Sequence, residues 1–117
     1  MKILYVEDNL NTAQAMKALL GLKGMEVEIA ASVAEAVSQL SAIPYDVLIS
    51  DITLPDGTGH DILSRSPKPI PAIAVSGHVA ESDRDDALNR GFSEYITKPF
   101  RADELIAAIQ RVVPASK

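Results

Sequence analysis

Tyr45-Asp46-Val47-Leu48-Ile49-Ser50-Asp51 is an apolar run that ends on a carboxylate, and Ile3-Leu4-Tyr5-Val6-Glu7-Asp8 repeats the pattern with two. Short apolar runs of this kind, bounded by turn signals, read as buried strands. As neighbours in one parallel sheet they bring Glu7, Asp8 and Asp51 together at its carboxyl edge, where open α/β sheets place their ligands. Fold class and a candidate acidic site are therefore read from the same two segments.

Outward from these runs, strands and helices take turns. Lys2 to Val6 is a strand, followed by a helix over Asn9 to Lys23 with Ala13, Met16 and Leu20 on one face, stopped by Gly24. Met25 to Ala30 alternates apolar and acidic residues as an edge strand does, and Ser32 with Glu35 forms a capping-box signature that opens a helix to about Ala42. Val47 to Ser50 is the third strand, and Leu54-Pro55-Asp56-Gly57-Thr58-Gly59 is dense in turn chemistry before a short helix, His60 to Arg65. Pro67, Pro69 and Pro71 exclude helix, so the next strand is Ala72 to Ser76. Ser82 to Asn89 is a polar helix ended by Gly91, Ser93 to Thr97 the last strand, and Asp103 to Val113 the last helix, with Leu105, Ala108, Ile109 and Val112 on one face. Five strands and five helices in alternation predict a parallel sheet covered by helices on both sides.

Composition narrows the class. A chain of 117 residues is expected to form one domain, spanning residues 1–117, with no output domain, and the tail 114–117 reads as the stub of a linker. No cysteine is present, which excludes disulfides and thiolate metal sites and suits a reducing cytoplasm. No apolar run approaches the roughly 20 residues that span a bilayer, and the acidic start is unlike a signal peptide. Net charge is −5 and the 11 basic residues are scattered, which argues against direct nucleic-acid binding and gives no membrane signal.

The chemistry of the cluster follows from its charge. Two unit charges about 4 Å apart repel by roughly 1 kcal/mol in water and roughly 4 kcal/mol at an effective dielectric of 20. Three carboxylates in one place are therefore unstable unless one protonates or a cation arrives, and a cation is the more useful answer. An all-oxygen donor set without His or Cys favours a hard ion, and Mg2+ uses one or two carboxylates plus a phosphate oxygen. An Asp carboxylate is itself a competent nucleophile, forming an aspartyl phosphate. For phosphoryl transfer a metal on one side and a cation or hydroxyl on the other would suffice, and the ends of the last two strands offer both groups in Ser76 and Lys98.

Val6-Glu7-Asp8-Asn9, Ser50-Asp51, Leu54-Pro55-Asp56-Gly57, Ser76-Gly77 and Thr97-Lys98-Pro99-Phe100 together resemble the response-regulator receiver family of two-component signalling. The resemblance covers essentially the whole chain. It implies a flavodoxin-like α/β/α fold of strand order 2-1-3-4-5. It also implies that Asp51 accepts a phosphoryl group from a phosphohistidine on a histidine kinase or phosphotransfer protein. Asp8 would bind Mg2+ directly, Glu7 mainly through water, and the Thr53 backbone carbonyl would complete the protein ligands. Ser76 would be the switch hydroxyl, Tyr95 the aromatic that follows it, and Lys98 the phosphate's partner, with Lys98-Pro99 a cis peptide. The surface made by the fourth helix, fifth strand and fifth helix would carry the change to a downstream protein. Such a chain is not an enzyme with turnover on a separate substrate, since it catalyses only its own phosphorylation and dephosphorylation.

Two features depart from the family's pattern. The segment between Asp51 and Ser76 is short and proline-rich, so the third helix should be truncated. The phrase Ile49 to Gly59 is similar to receivers attached to hybrid histidine kinases. Thr53 and His78 fall where the family tunes dephosphorylation. Taken singly, each residue has an ordinary reading: Glu7-Asp8 as a turn, Ser76 as a loop hydroxyl, Tyr95 as a packing residue, His60 and His78 as exposed loop or helix-start residues. Glu81, Asp83, Asp85 and Asp86 read as a solvated helix face. A flavodoxin-type cofactor binder needs a phosphate-cradling loop after the first strand, where Glu7-Asp8 has the wrong charge. A phosphohydrolase of the haloacid dehalogenase type needs a second Asp where Thr53 stands. The remaining rival is a receiver-fold interaction module that works without phosphorylation.

Overall fold

The computed structural model describes residues 1–77 and 80–113, so that His78 and the tail 114–117 lie outside the described residues. A five-stranded parallel sheet is built from β1 (Lys2–Val6), β2 (Glu26–Ala30), β3 (Val47–Asp51), β6 (Ala72–Ser76) and β7 (Glu94–Thr97), in the order β2-β1-β3-β6-β7. This is the expected 2-1-3-4-5 arrangement; the intervening labels belong to β4 (Thr53–Leu54) and β5 (Gly57–Thr58), two arms of a small antiparallel hairpin. The turn-rich reading of residues 54–59 did not reveal that hairpin.

Strand composition decides position in the sheet. β1, β3 and β6 are continuous apolar runs buried on both faces and occupy the centre, whereas β2 and β7 carry Glu26, Glu28 and Glu94 and form the edges. Alternate side chains feed two cores. Ile3, Tyr5, Val47, Ile49, Ile73 and Val75 meet α1 (Leu10–Gly21) and α5 (Ala102–Val112). Leu4, Val6, Leu48, Ala72 and Ala74 meet α2 (Val33–Ala42), α3 (Gly59–Arg65) and α4 (Glu81–Asn89). Each fully buried Leu or Ile contributes roughly 1.5–3 kcal/mol relative to exposure. The chain turns from β2 back across β1 to β3, and right-handed crossovers on either side of that reversal put α1 opposite α2.

Helix limits follow local chemistry. Asn9 caps α1 by accepting the Thr12 amide at 3.1 Å. That helix stops at Gly21, short of the expected Lys23, as the chain turns through Gly24 at φ +83°, a conformation glycine adopts without strain. The third helix is seven residues long, as expected from the prolines: Thr58 and Asp61 form its capping box, and Ser66 is extended because Pro67 follows.

Candidate functional site

Strand register sets the site. Val6 pairs with Ser50, Asp51 with Val75, and Ser76 with Thr97, so Glu7, Asp51, Ser76 and Lys98 leave the sheet at one carboxyl edge. Backbone hydrogen bonds fasten the exits: Glu7 N donates to Ala30 O at 3.0 Å, Ile52 N to Val75 O at 3.1 Å and Lys98 N to Ser76 O at 2.7 Å.

Carboxylate oxygens of Glu7, Asp8 and Asp51 all lie within 4.8 Å of one another. Glu7 is buried, Asp51 half-buried and Asp8 exposed, a gradient from the core to solvent. Lys98 Nζ donates to Asp51 Oδ2 at 2.9 Å and to Glu7 Oε1 at 3.1 Å. The other Glu7 oxygen accepts the Asn9 amide at 3.2 Å. Partners of this kind are what a charge as deeply placed as Glu7 requires. Burial works against the charge on Lys98, but the hydrogen bonds and charges of Asp51 and Glu7 outweigh it and raise its pKa. Below the cluster, burial first, then the negative charges of Glu7 and Asp51, drives the Tyr5 hydroxyl far above its ordinary value, keeping it neutral.

The structure therefore brings Glu7, Asp8, Asp51 and Lys98 into one constellation. Ser76 is buried at the end of β6, one residue beyond the level of Asp51. Thr53 is exposed on the first arm of the hairpin. Tyr95 is half-buried and packs on the α2–α4 side of the sheet, and Lys98-Pro99 is cis. His60 corrects the sequence reading: it does start a helix, but its ring is half-buried, edge-on to Phe92 with centroids 5.5 Å apart, and Nε2 lies 3.8 Å from Asp86 Oδ2. Its Nδ1 is buried with no hydrogen-bond partner among the described residues. Burial and the nearby Arg90 lower its pKa, against the charges of Asp86 and Asp61.

Two supporting residues were missed. Gly59 N donates to Ile52 O at 2.8 Å, and a Cβ at Gly59 would sit 2.8 Å from Asp51 O and 3.1 Å from Ser50 Oγ. Glycine is required there by close approach to the backbone of Asp51 itself. Asp56, at the hairpin tip, accepts the Val33 amide at 2.8 Å and the Ala34 amide at 3.0 Å. These bonds lower its pKa. A glycine just beyond a candidate nucleophile was the available signal for the first; a contact across 23 residues left none for the second.

With this geometry in hand, relatives place the chain. The profile of the response regulator receiver domain matches residues 3–110. A 14.6 kDa protein encoded 3′ of sodA1 in Leptolyngbya boryana is 35% identical, the alignment covering 95% of this chain and 88% of that protein. The transcriptional regulatory protein DltR of Streptococcus agalactiae is 35% identical over 94% of this chain and 50% of its own length. The chain thus spans about half the length of DltR. Among solved structures, the receiver domain of the Francisella response regulator 1452 superposes with a TM-score of 0.89 at 27% identity, covering 95% of this chain and 94% of the other. The receiver domain of the sensor histidine kinase PA1611 from Pseudomonas aeruginosa, with magnesium coordinated in its active site cleft, gives 0.84 at 29% identity, covering 95% of each chain.

Proposed function

The chain belongs to the response regulator receiver domain family, and from that premise we propose that it is the phosphoacceptor of a two-component phosphorelay, with Asp51 as the modified residue. The observation that carries the reading is Lys98 Nζ bridging Asp51 and Glu7 at 2.9 and 3.1 Å, which joins the last strand to the carboxylate cluster.

In the proposed reaction an Asp51 carboxylate oxygen attacks phosphorus, the N–P bond of a phosphohistidine breaks, and the imidazole leaves as an aspartyl phosphate forms. Lys98 then pairs with the phosphoryl oxygens, and the Ser76 hydroxyl hydrogen-bonds to them. Among the described residues one ammonium, that of Lys98, contacts these carboxylates, so the cluster keeps excess negative charge. The donor set is all oxygen, and it fits a hard divalent cation such as Mg2+ held by Asp8, Asp51 and the Thr53 carbonyl, with Glu7 acting mainly through water. Bound Mg2+ would neutralise charge on the transferred phosphoryl oxygens. The chain acts here only on itself, through its own phosphorylation and dephosphorylation.

A cleft beside Lys98, lined by Tyr5, Thr12, Met16, Pro99 and Phe100, offers an apolar rim for a phosphodonor protein, a histidine kinase or phosphotransfer protein. Ser76 and Tyr95 pass the change to the face of α4, β7 and α5, which a downstream protein reads. The net charge of −5 supports a protein target rather than nucleic acid, and cytoplasmic placement suits the cysteine-free chain. No helix among the described residues is long and apolar enough to cross a membrane. The likeness to the PA1611 receiver supports attachment to a sensor kinase as one setting for this domain.

Intact-mass spectrometry after incubation with acetyl phosphate, with and without Mg2+, tests the reading. A Mg2+-dependent gain of one phosphoryl group, absent in Asp51→Asn, is expected. No gain in a folded chain would leave the phosphorylation-independent interaction module.

A further inference from the structure

The first turn of a helix leaves backbone N–H groups without intrahelical partners, and at α2 they are met from two sources. Ser32 Oγ accepts the Glu35 amide at 3.1 Å, a local cap. The Val33 and Ala34 amides both go to Asp56, one to each carboxylate oxygen, across 23 and 22 residues of sequence. A surface turn needs no such bond, and its residues ordinarily look to their own backbone.

Asp56 occupies the tip of the hairpin that follows Asp51. Thr53 pairs with Thr58 and Leu54 with Gly57, while Gly59 N closes the base on Ile52 O. Gly57 has φ +155°, and a Cβ there would lie 2.6 Å from Asp61 Oδ2, which accepts the Thr58 amide at 2.9 Å and ties the return arm to α3. Base and arms are held by the hairpin's own hydrogen bonds. Leu54 buries its side chain in the core with Val33 and Ala36, and among the described residues the hydrogen bonds from the tip to α2 are those of Asp56.

We propose that Asp56 is a positioning residue for metal binding: by clamping the hairpin tip to the first turn of α2 it fixes the Thr53 backbone beside Asp51 and Asp8. This rests on the phosphoacceptor reading above, in which the Thr53 carbonyl completes the metal's protein ligands. The simpler reading, that Asp56 only caps α2, predicts a loss of stability without a loss of metal affinity.

The two are separated by pairing Asp56→Ala with Ser32→Ala, which weakens the same helix end without touching the hairpin. Mg2+ titration of the whole chain, followed by backbone amide NMR shifts, reads affinity directly. Amide exchange in Mg2+-free buffer reads the hairpin. Residues that orient metal ligands typically change affinity by tenfold or more, so Asp56→Ala is expected to weaken Mg2+ about tenfold. It is also expected to expose the Gly59 amide to exchange, with Ser32→Ala changing neither. Asp56→Asn, whose oxygen accepts one amide while its NH2 faces the other, should fall between and serves if the alanine variant fails to fold. Wild-type Mg2+ affinity with a protected Gly59 amide in both Asp56 variants would overturn the proposal and leave Asp56 a cap. Absence of Mg2+ binding by the wild-type chain would overturn the phosphoacceptor reading and this inference with it.

Discussion

The helices α2 and α4 pack on the same face of the sheet and begin in opposite ways. Three first-turn amides of α2 are bonded to side chains, those of Ser32 and Asp56, and Glu35 Oε1 reaches back to the Ala31 amide at 2.9 Å. α4, with Ala80 at its N-cap, has no side-chain cap, buries only Ala87, and exposes the rest of its length, Leu88 among mostly charged and polar residues. α2 is thus fastened to the hairpin that follows Asp51, and α4, on the Ser76 side, is held lightly. Local stability follows such differences in capping and buried contacts. Under the proposed phosphoacceptor reading, the fixed half would bond the phosphoryl group and the yielding half would change shape when it arrives.

Breaking the fixed half should have the largest effects. Lys98→Ala removes the ammonium from Glu7 and Asp51, and loss of one such electrostatic contact typically slows a reaction by about 100- to 1000-fold. Acetyl phosphate labelling of that variant, followed over time by intact mass, checks this. Gly59→Ala drives a Cβ against the Asp51 carbonyl and should cost about 1–3 kcal/mol in urea denaturation, with labelling slowed as Asp51 is displaced.

The yielding half should respond in the other direction and less strongly. Ala80→Ser supplies the missing cap and is expected to stabilise the chain by about 0.5–1 kcal/mol, raising the midpoint of thermal unfolding. Because it stiffens α4, the same variant should reduce the amide shifts in α4 and β7 that accompany phosphorylation.

The smallest effect concerns the seam between the two halves. His60 bridges α3 to Asp86 of α4, and its pKa is lower folded than unfolded, chiefly through burial. The unfolded chain then binds the proton more readily. The stability that neutral His60 confers is complete above its ordinary value of 6.5 and is lost as pH falls below it. Thermal midpoints of the wild type should therefore drop more steeply between pH 7 and 5, roughly the window of an ordinary histidine, than those of His60→Gln.

How far the sequence foretold this division varies by element. Apolar runs in β1, β3 and β6 and the acids that end the first two made both sheet and site legible, because burial on two faces imposes a composition no surface segment shares. The truncated α3 was legible too, since each proline forbids a helical bond. Asp56, Gly59 and His60 were not. Their roles depend on what lies across space: the α2 amides for Asp56, the Asp51 carbonyl for Gly59, Phe92 and Asp86 for His60. The Ser32–Glu35 signature was read correctly, yet it accounts for one of the three bonded first-turn amides, and the other two are met by a residue that local pattern marks only as a turn.

The contrast between a fastened and a yielding half is tested most directly by amide hydrogen exchange of the whole chain, with and without acetyl phosphate in the presence of Mg2+. Phosphorylation should alter exchange in α4, β7 and α5 while the amides of Val33, Ala34 and Gly59 keep their protection. Changes concentrated in α2 and the hairpin, with α4 unaltered, would contradict the account.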